Sequence, residues 1–168
     1  GNALYQKRFR LAPEEGNCVF LRFDGVDKVC TVYLNGHEVG RHEGGYTAFA
    51  VELTGQIAPD GENLLTVLVN NETGETVSPL SGDFASFGGI YRKVELVQVP
   101  AVHFPLCYYG APGILARAKI ENGAGLLSVT IPEGTPLPGD VQMCCRLTDA
   151  SGETVAECCV PAAETAKM

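Results

Sequence analysis

The sequence predicts an all-β protein, and three observations support that prediction. Glycine and proline are frequent, at 20 and 10 of 168 residues, and they separate short apolar runs, as turns separate strands. Several of these runs alternate apolar and polar residues, which is the pattern of half-buried strands. No stretch has the periodicity of an amphipathic helix longer than two turns. The pattern therefore favours many short strands packed as sheets.

The first hundred residues contain seven predicted strands. They are Tyr5–Leu11, Cys18–Phe23, Val29–Leu34, His37–Arg41, Thr47–Leu53, Leu64–Asn70 and Ile90–Val99. Asn35-Gly36 joins the third to the fourth, and Asn-Gly is the favoured pair for a type I′ hairpin turn. From Asn71 to Gly89 the periodicity is lost, which predicts a long loop. Loops of that length in compact domains are commonly functional.

The second part of the chain follows a predicted linker at 100–105. Its four predicted strands are Leu115–Asn122, Leu126–Ile131, Val141–Thr148 and Thr154–Val160, with a hairpin turn at Asp149–Gly152. These residues are too few for a complete sandwich of about 100 residues. We therefore expect a truncated second domain. Its unpaired strand edges would seek partners, which predicts self-association near Val141–Val160.

Composition excludes several classes of function. The net charge of -8 repels phosphate backbones, so no nucleic acid partner is expected. No apolar run reaches the ~20 residues of a membrane span. The chain begins with Gly1-Asn2-Ala3, which is typical of a tag remnant, so we expect the natural N-terminus to lie elsewhere. The expected compartment is the cytoplasm.

The cysteines leave two interpretations open. There are seven, an odd number, and several lie in apolar runs, which favours reduced core thiols in a reducing compartment. The alternative is a disulfide across the hairpin around Asp149–Gly152, joining Cys144 or Cys145 to Cys158 or Cys159. No CxxC pair is present, so a zinc site has no support.

Five motifs in order carry a resemblance to a known family. They are Val19–Val26, Val32–Gly40, His42–Phe49, Gly61–Val67 and Gly88–Val94, the last reading Gly-Gly-Ile-Tyr-Arg-Lys-Val. In this order and spacing they resemble the N-terminal sugar-binding domain of glycoside hydrolase family 2. That family includes β-galactosidases, β-glucuronidases and β-mannosidases. The chain departs from the family pattern at Leu4, Ala48 and Lys93, which blurs the subfamily.

The resemblance implies two domains. Residues 1–99 would form a jelly-roll (galactose-binding-like) β-sandwich that lacks its N-terminal part, and 100–168 a partial immunoglobulin-like sandwich. In the family a catalytic (β/α)₈ barrel follows, and this chain does not contain it. The expected function is therefore a non-catalytic accessory region of a retaining β-glycosidase, with β-galactosidase as the first expectation. Its partners would be carbohydrate and the barrel of the parent enzyme.

One site residue follows from the resemblance. Asp83 matches an aspartate that, in β-galactosidases of the family, reaches into the active site and helps to bind sugar and a sodium ion. A carboxylate can accept hydrogen bonds from neighbouring sugar hydroxyls. No catalytic residue is assigned. Asn71-Glu72 has the same two residue types as the family's catalytic dipeptide, but the likeness goes no further. No cofactor is expected in this chain. A sodium or magnesium ion is expected only in the complete enzyme.

Three other side chains are weaker site candidates. Arg92 is expected to be structural and to pair with a core carboxylate. His37 and His42 flank a hairpin, but two histidines without a third ligand make a poor metal site.

Two alternative functions remain open. Jelly rolls also serve as lectins, so the chain could be an autonomous carbohydrate-binding module. Such modules favour exposed tryptophan platforms, and the chain has no tryptophan. A purely structural β-sandwich is the other alternative, since one fold hosts many functions. A purely structural role gives no reason for the Gly-Gly-Ile-Tyr-Arg motif to follow Asp83.

Overall fold

The computed structural model describes residues 1–72, 77, 87–111, 113–132 and 137–168. These residues form fourteen strands and no helix, and every strand pair is antiparallel. The all-β prediction is therefore confirmed. No helix in the described part of the chain is long and apolar enough to cross a membrane. The chain divides into two compact units, Gly1–Ala101 and Val102–Met168.

The first unit is built on two sheets. One has four strands in the order β1-β7-β4-β5 and the other three in the order β6-β2-β9. Their bounds are Asn2–Phe9 (β1), Asn17–Phe23 (β2), Val29–Leu34 (β4), His37–Glu43 (β5), Phe49–Glu52 (β6), Asn63–Asn70 (β7) and Val94–Pro100 (β9). A two-residue ribbon pairs β3 (Val26–Asp27) with β8 (Gly89–Ile90).

The core of this unit lies between the two sheets. Alternate residues of β2 (Val19, Leu21 and Phe23) are at most 2% exposed, and β4 and β7 supply their buried residues with the same period of two. This is the expected result when one face of each strand is apolar. Phe23 stacks on Phe49 with ring centroids 4.7 Å apart, which joins β2 to β6. The alternation of Val19, Leu21 and Phe23 therefore marks the inward face of β2.

Turn chemistry fixes the hairpin between β4 and β5. Asn35 and Gly36 have φ angles of 52° and 85°, which are the positive values that a type I′ turn requires. The Asn35 side chain also holds β7: its Oδ1 accepts from the Leu64 amide at 2.9 Å, and its Nδ2 donates to Asn63 Oδ1 at 2.9 Å. Asn63 is fully buried, and its remaining bonds go to the Ala58 backbone.

The second unit has a three-stranded sheet and a separate two-stranded hairpin. The sheet order is β10-β11-β14, and β12 pairs with β13. The bounds are Leu115–Glu121 (β10), Ala124–Thr130 (β11), Gln142–Thr148 (β12), Thr154–Pro161 (β13) and Ala166–Lys167 (β14). The buried residues of this unit's core are Val129, Met143, Ala162 and Ala166.

The hairpin β12–β13 carries a disulfide between Cys144 and Cys159. The expectation that all cysteines are reduced core thiols is therefore wrong for this pair. The hairpin register sets Cys144 directly opposite Cys159, so the two sulfur atoms meet. Cys145 and Cys158 form no disulfide, and neither do Cys18, Cys30 and Cys107. The open alternative of a cross-hairpin bond was the correct one.

Two other sequence predictions need correction. The single strand predicted at Ile90–Val99 is two strands, β8 and β9. Between them, the side chains of Tyr91 and Arg92 make hydrogen bonds to other loops. The first strand begins at Asn2, which pairs with Asn70, so the first residues belong to the sheet. The short strands β3 and β14 were missed because two residues show no periodicity.

Candidate functional site

The candidate site is at the end of the first unit where β7 ends and β8 begins. The residues between these strands include Asp83, which the family resemblance implies as a sugar-binding residue and which lies outside the described residues. The structure does describe both ends of this segment, Asn71-Glu72 and Phe87-Gly88. The groups that hold these two ends are therefore the described part of the site.

Two glycines bring the ends of the segment together. A Cβ on Gly88 would overlap the Asn71 side chain, so the two ends touch only because residue 88 has no side chain. Gly89 is buried, has a φ of 112°, and a Cβ there would overlap the Tyr5 hydroxyl. That hydroxyl accepts a hydrogen bond from the Ile90 amide at 3.3 Å. Close approach and positive φ both require glycine here, which explains the Gly-Gly dipeptide of the motif.

The next two residues of the motif fasten this corner to the loop between β5 and β6. The Tyr91 hydroxyl donates to the Gly45 carbonyl oxygen. Arg92 Nη1 donates to the carbonyl oxygens of Asp24 at 3.3 Å and Tyr46 at 3.2 Å. The guanidinium carbon lies 5.1 Å from the centroid of the Tyr91 ring, within the range of a cation–π contact. We call these residues, Gly88 to Arg92, the glycine corner.

The structural role expected for Arg92 is thus present, but its partners differ from the expectation. Its acceptors are backbone carbonyl oxygens rather than a core carboxylate, and the residue is exposed. The reason is local. Loop carbonyls near residues 24 and 46 have no strand partner, and a planar group with five donors can satisfy two of them at once.

Two buried charged residues lie beneath the glycine corner, and sequence reasoning missed both. Asp27 and Lys28 are 4% and 3% exposed, and Asp27 pairs with Gly89 in the β3–β8 ribbon. A Cβ on Gly45 would lie 2.5 Å from Asp27 Oδ1, so this glycine leaves room for the carboxylate. The available signal was the adjacent opposite charges within the apolar run Val26–Cys30, since buried charges are retained where they are paired.

The backbone of Lys28 also joins three parts of this unit by hydrogen bonds. Its amide donates to the Asn70 carbonyl oxygen at 3.2 Å, and its own carbonyl oxygen accepts from the Gly44 amide at 2.9 Å. The end of β7, the ribbon and the β5–β6 loop therefore form one hydrogen-bonded platform. Such a platform can present a neighbouring loop in a fixed position, which a binding site needs.

Exposed aromatic rings lie within and beside the glycine corner. Tyr46, Phe87 and Tyr91 are 63%, 86% and 44% exposed, whereas most large apolar residues of this unit face its core. An exposed aromatic ring can pack against the C–H face of a sugar or against a neighbouring protein surface. Together with the Arg92 guanidinium, these rings give this end of the unit the features of a contact surface.

The remaining candidates take structural positions. Glu72 is exposed at the end of β7, and its amide donates to Asn70 Oδ1 at 2.7 Å, which is a turn geometry. His37 and His42 stand at opposite ends of β5. His42 stacks on Phe49 at 4.0 Å, and its burial lowers the pKa of the imidazole. Among the described residues, no group of three His, Cys, Asp or Glu side chains could hold a metal ion.

The carboxylates with shifted pKa values do not have the properties of a general acid. The Arg41 hydrogen bond lowers the pKa of Glu38, and hydrogen bonds from Ser151 and the Glu153 amide lower that of Asp149. Glycoside hydrolysis needs one carboxyl group whose pKa is raised so that it can protonate the leaving group. Both shifts are in the opposite direction, so these two residues are turn and hairpin contacts.

Comparison with known proteins identifies the family of this chain. The model of the glycosyl hydrolases family 2 sugar binding domain matches residues 1–100. A β-glucuronidase of Bacteroides fragilis is 38% identical over 150 residues, covering 78% of this chain and 22% of that protein. A β-galactosidase of Thermoanaerobacter pseudethanolicus is 33% identical, covering 77% and 20%. The chain thus spans about a fifth of the length of these relatives.

Solved structures extend the likeness to both units. The FMN-binding β-glucuronidase from Facaelibacterium prausnitzii L2-6 superposes with a TM-score of 0.85 at 30% identity, covering 99% of this chain and 26% of that one. Bacteroides uniformis β-glucuronidase gives 0.80 at 30% identity, covering 100% and 21%. The family model, the relatives and the folds agree: the chain belongs to glycosyl hydrolase family 2 and contains the family's sugar binding domain.

Proposed function

We propose that the chain is the non-catalytic accessory region of a family 2 β-glycosidase and forms one wall of its substrate pocket. The observation that carries the proposal is the glycine corner. It fixes the two ends of the segment that contains Asp83, with Gly88 against Asn71 and Gly89 against Tyr5. A rigid corner that presents a segment rich in small and polar residues suits a residue that must meet a substrate bound elsewhere in the enzyme.

The parent reaction would be hydrolysis of a terminal β-glycosidic bond with retention. That reaction uses two carboxyl groups about 5 Å apart, one as nucleophile and one as acid and base, and the catalytic barrel of the parent would supply them. Asp83 would accept hydrogen bonds from sugar hydroxyls. Its match to the family's aspartate favours a β-galactosidase, while the relatives are named both β-glucuronidase and β-galactosidase.

A chimera tests this function. The matching region of the Bacteroides fragilis β-glucuronidase would be replaced by this chain, and hydrolysis of aryl β-glucuronide and aryl β-galactoside measured. We expect a folded, active enzyme, whereas deletion of the region should abolish activity. Asp83→Asn in the chimera should raise KM about tenfold or more, because a hydrogen bond to a charged group contributes ~1.5–3 kcal/mol.

Glu72→Gln is the matched control. It removes a carboxylate at the other end of the same segment, where Glu72 is exposed and caps a turn, so KM should not change. A folded chimera without activity would contradict the supporting role. Equal KM values for the Asp83→Asn chimera and its parent, on both substrates, would remove Asp83 from the site.

Self-association through the second unit stays a prediction. In its support, β12 and β13 form a two-stranded sheet that leaves Leu147 and Val155 at 38% and 63% exposure. Light scattering at high concentration tests it, and a monomer at every concentration would contradict it.

A further inference from the structure

The hairpin β12–β13 holds two cysteine pairs in adjacent positions of its ladder. Cys144 lies opposite Cys159, and Cys145 lies opposite Cys158. Successive residues of a strand point to opposite faces of a sheet, so the two pairs lie on different faces of the hairpin. We call Cys144–Cys159 the outer pair and Cys145–Cys158 the inner pair.

The outer pair is bonded and open to solvent. Both Cys144 and Cys159 are exposed, and their Cα atoms are 4.1 Å apart. A separation this short is characteristic of the non-hydrogen-bonded positions of an antiparallel ladder, where opposing side chains approach most closely. An external thiolate can therefore reach this bond without any opening of the fold.

The inner pair is in a different environment. Cys145 and Cys158 are half-buried and pack against the small core of the second unit, which contains Val129 and Met143. Burial, together with the neighbouring Cys158, raises the pKa of the Cys145 thiol. Since the thiolate is the reactive form of cysteine, Cys145 is less reactive as well as less accessible.

We propose that the Cys144–Cys159 bond is a modification site for low-molecular-weight thiols such as glutathione, and that the inner pair takes no part in the exchange. The thiolate of the small molecule attacks one of the two sulfur atoms. A mixed disulfide forms, the Cys144–Cys159 bond breaks, and the displaced cysteine leaves as a thiolate that takes a proton from water. A second small thiol then attacks the mixed disulfide, releases the oxidised small molecule, and leaves both cysteines reduced.

The geometry predicts a lifetime for the mixed disulfide. A neighbouring free thiol normally resolves such an adduct quickly, but Cys145 and Cys158 are on the other face of the hairpin. Only the displaced partner of the outer pair or a second external thiol can therefore remove the adduct. Because the displaced partner lies directly opposite, it re-forms the Cys144–Cys159 bond when the small thiol is scarce, so the adduct is transient and has to be trapped with acid. Excess small thiol carries the reaction on to two reduced cysteines.

The test is exchange under native conditions with reduced glutathione in anaerobic buffer. Without an oxidant, reduced glutathione can modify a disulfide but not a reduced thiol, so Cys107, which forms no disulfide, does not interfere. The reaction is quenched with acid and followed by intact mass and peptide mapping. We expect one glutathione on Cys144 or Cys159, and at higher concentration two additional alkylatable thiols at those same positions.

Two variants separate the pairs. Cys145→Ser/Cys158→Ser should exchange like the wild type, and Cys144→Ser/Cys159→Ser should give no adduct. If the second variant fails to fold, peptide mapping of the wild type still decides the question. Adducts on Cys145 or Cys158, or an outer bond that survives excess glutathione while the chain stays folded, would overturn the proposal.

Discussion

The two units of this chain are stabilised in different ways. Among the described residues, the first unit has thirteen buried side chains in its core and the second has four. Each fully buried aliphatic or aromatic side chain contributes ~1.5–3 kcal/mol, so burial alone favours the first unit strongly. The second unit has a disulfide across its hairpin. The comparison shows that one unit depends on side-chain packing, whereas the other also depends on a covalent bond.

The difference fits the proposed roles. The first unit holds the candidate site on a platform of backbone hydrogen bonds above a dense core, which suits a residue that must be presented precisely to a substrate. The second unit has a thin core and exposed apolar side chains such as Ile120 and Val155, at 82% and 63%. In the proposed function, the rest of the parent enzyme would supply the contacts that this unit lacks.

We expect the greatest loss of stability when a core side chain of the first unit is removed. Phe23→Ala removes a fully buried ring stacked on Phe49 and should lower the free energy of unfolding of this unit by ~3–5 kcal/mol. Hydrogen exchange read by mass spectrometry resolves the two units. Because the two units have separate cores, we expect faster exchange in the strands of the first unit alone, and equal acceleration in both units would contradict this expectation.

Removal of the disulfide should affect only the second unit. The bond closes a loop with a sequence separation of 15, for which chain entropy predicts a loss of about 3 kcal/mol. Cys144→Ser/Cys159→Ser should therefore accelerate exchange throughout β10–β14, and the inner-pair variant serves as the control. Unchanged exchange in the second unit would show that its core keeps this unit stable without the disulfide.

A smaller effect is expected at the glycine corner. Gly89→Ala adds a methyl group at a φ of 112°, where it would overlap the Tyr5 hydroxyl. Strained backbone of this kind costs ~1–3 kcal/mol, and exchange of the Ile90 amide should increase. Gly16→Ala is the control, because it has a φ of 78° and no atom within 4 Å of an added Cβ. An equal loss of stability in both variants would mean that the close contact with Tyr5 is unimportant.

The smallest effect is a pH dependence in the first unit. Burial lowers the pKa of His42 in the folded state, so the unfolded state binds a proton more readily. Stability should therefore be complete above the unfolded pKa of about 6.5 and decrease as the pH falls below it. His42→Phe keeps an aromatic ring on Phe49 and should remove this part of the pH dependence, measured by denaturant unfolding between pH 5 and 8.

Much of the fold could be predicted because its signals are local. The alternation of Val19, Leu21 and Phe23 shows which face of β2 is buried, and Asn35-Gly36 specifies a turn by its φ angles. The equivalent pair Asn122-Gly123, with φ angles of 51° and 81°, joins β10 to β11. The predicted strand Leu115–Asn122 includes Asn122, whereas the structure ends β10 at Glu121 and uses Asn122 in the turn.

The candidate site was less predictable because its contacts join residues far apart in sequence. The Gly-Gly-Ile-Tyr-Arg motif indicated the place, but not that Gly89 must avoid Tyr5 or that Arg92 binds the carbonyl oxygen of Tyr46. Burial of Asp27 and Lys28 follows from loops that fold over them. Likewise, which cysteines are bonded depends on the exact hairpin register, which hydrophobic alternation does not fix to one residue.

In the proposed function, this chain forms part of a sugar site and the parent enzyme supplies the rest. A calorimetric titration of the isolated chain with galactose, glucuronic acid and mannose at millimolar concentrations is the sharpest test of this division. We expect no binding heat for any of the three sugars, because the chain alone would lack the rest of the pocket. Clear binding of one sugar that is abolished by Asp83→Ala would contradict it and identify an autonomous carbohydrate-binding module.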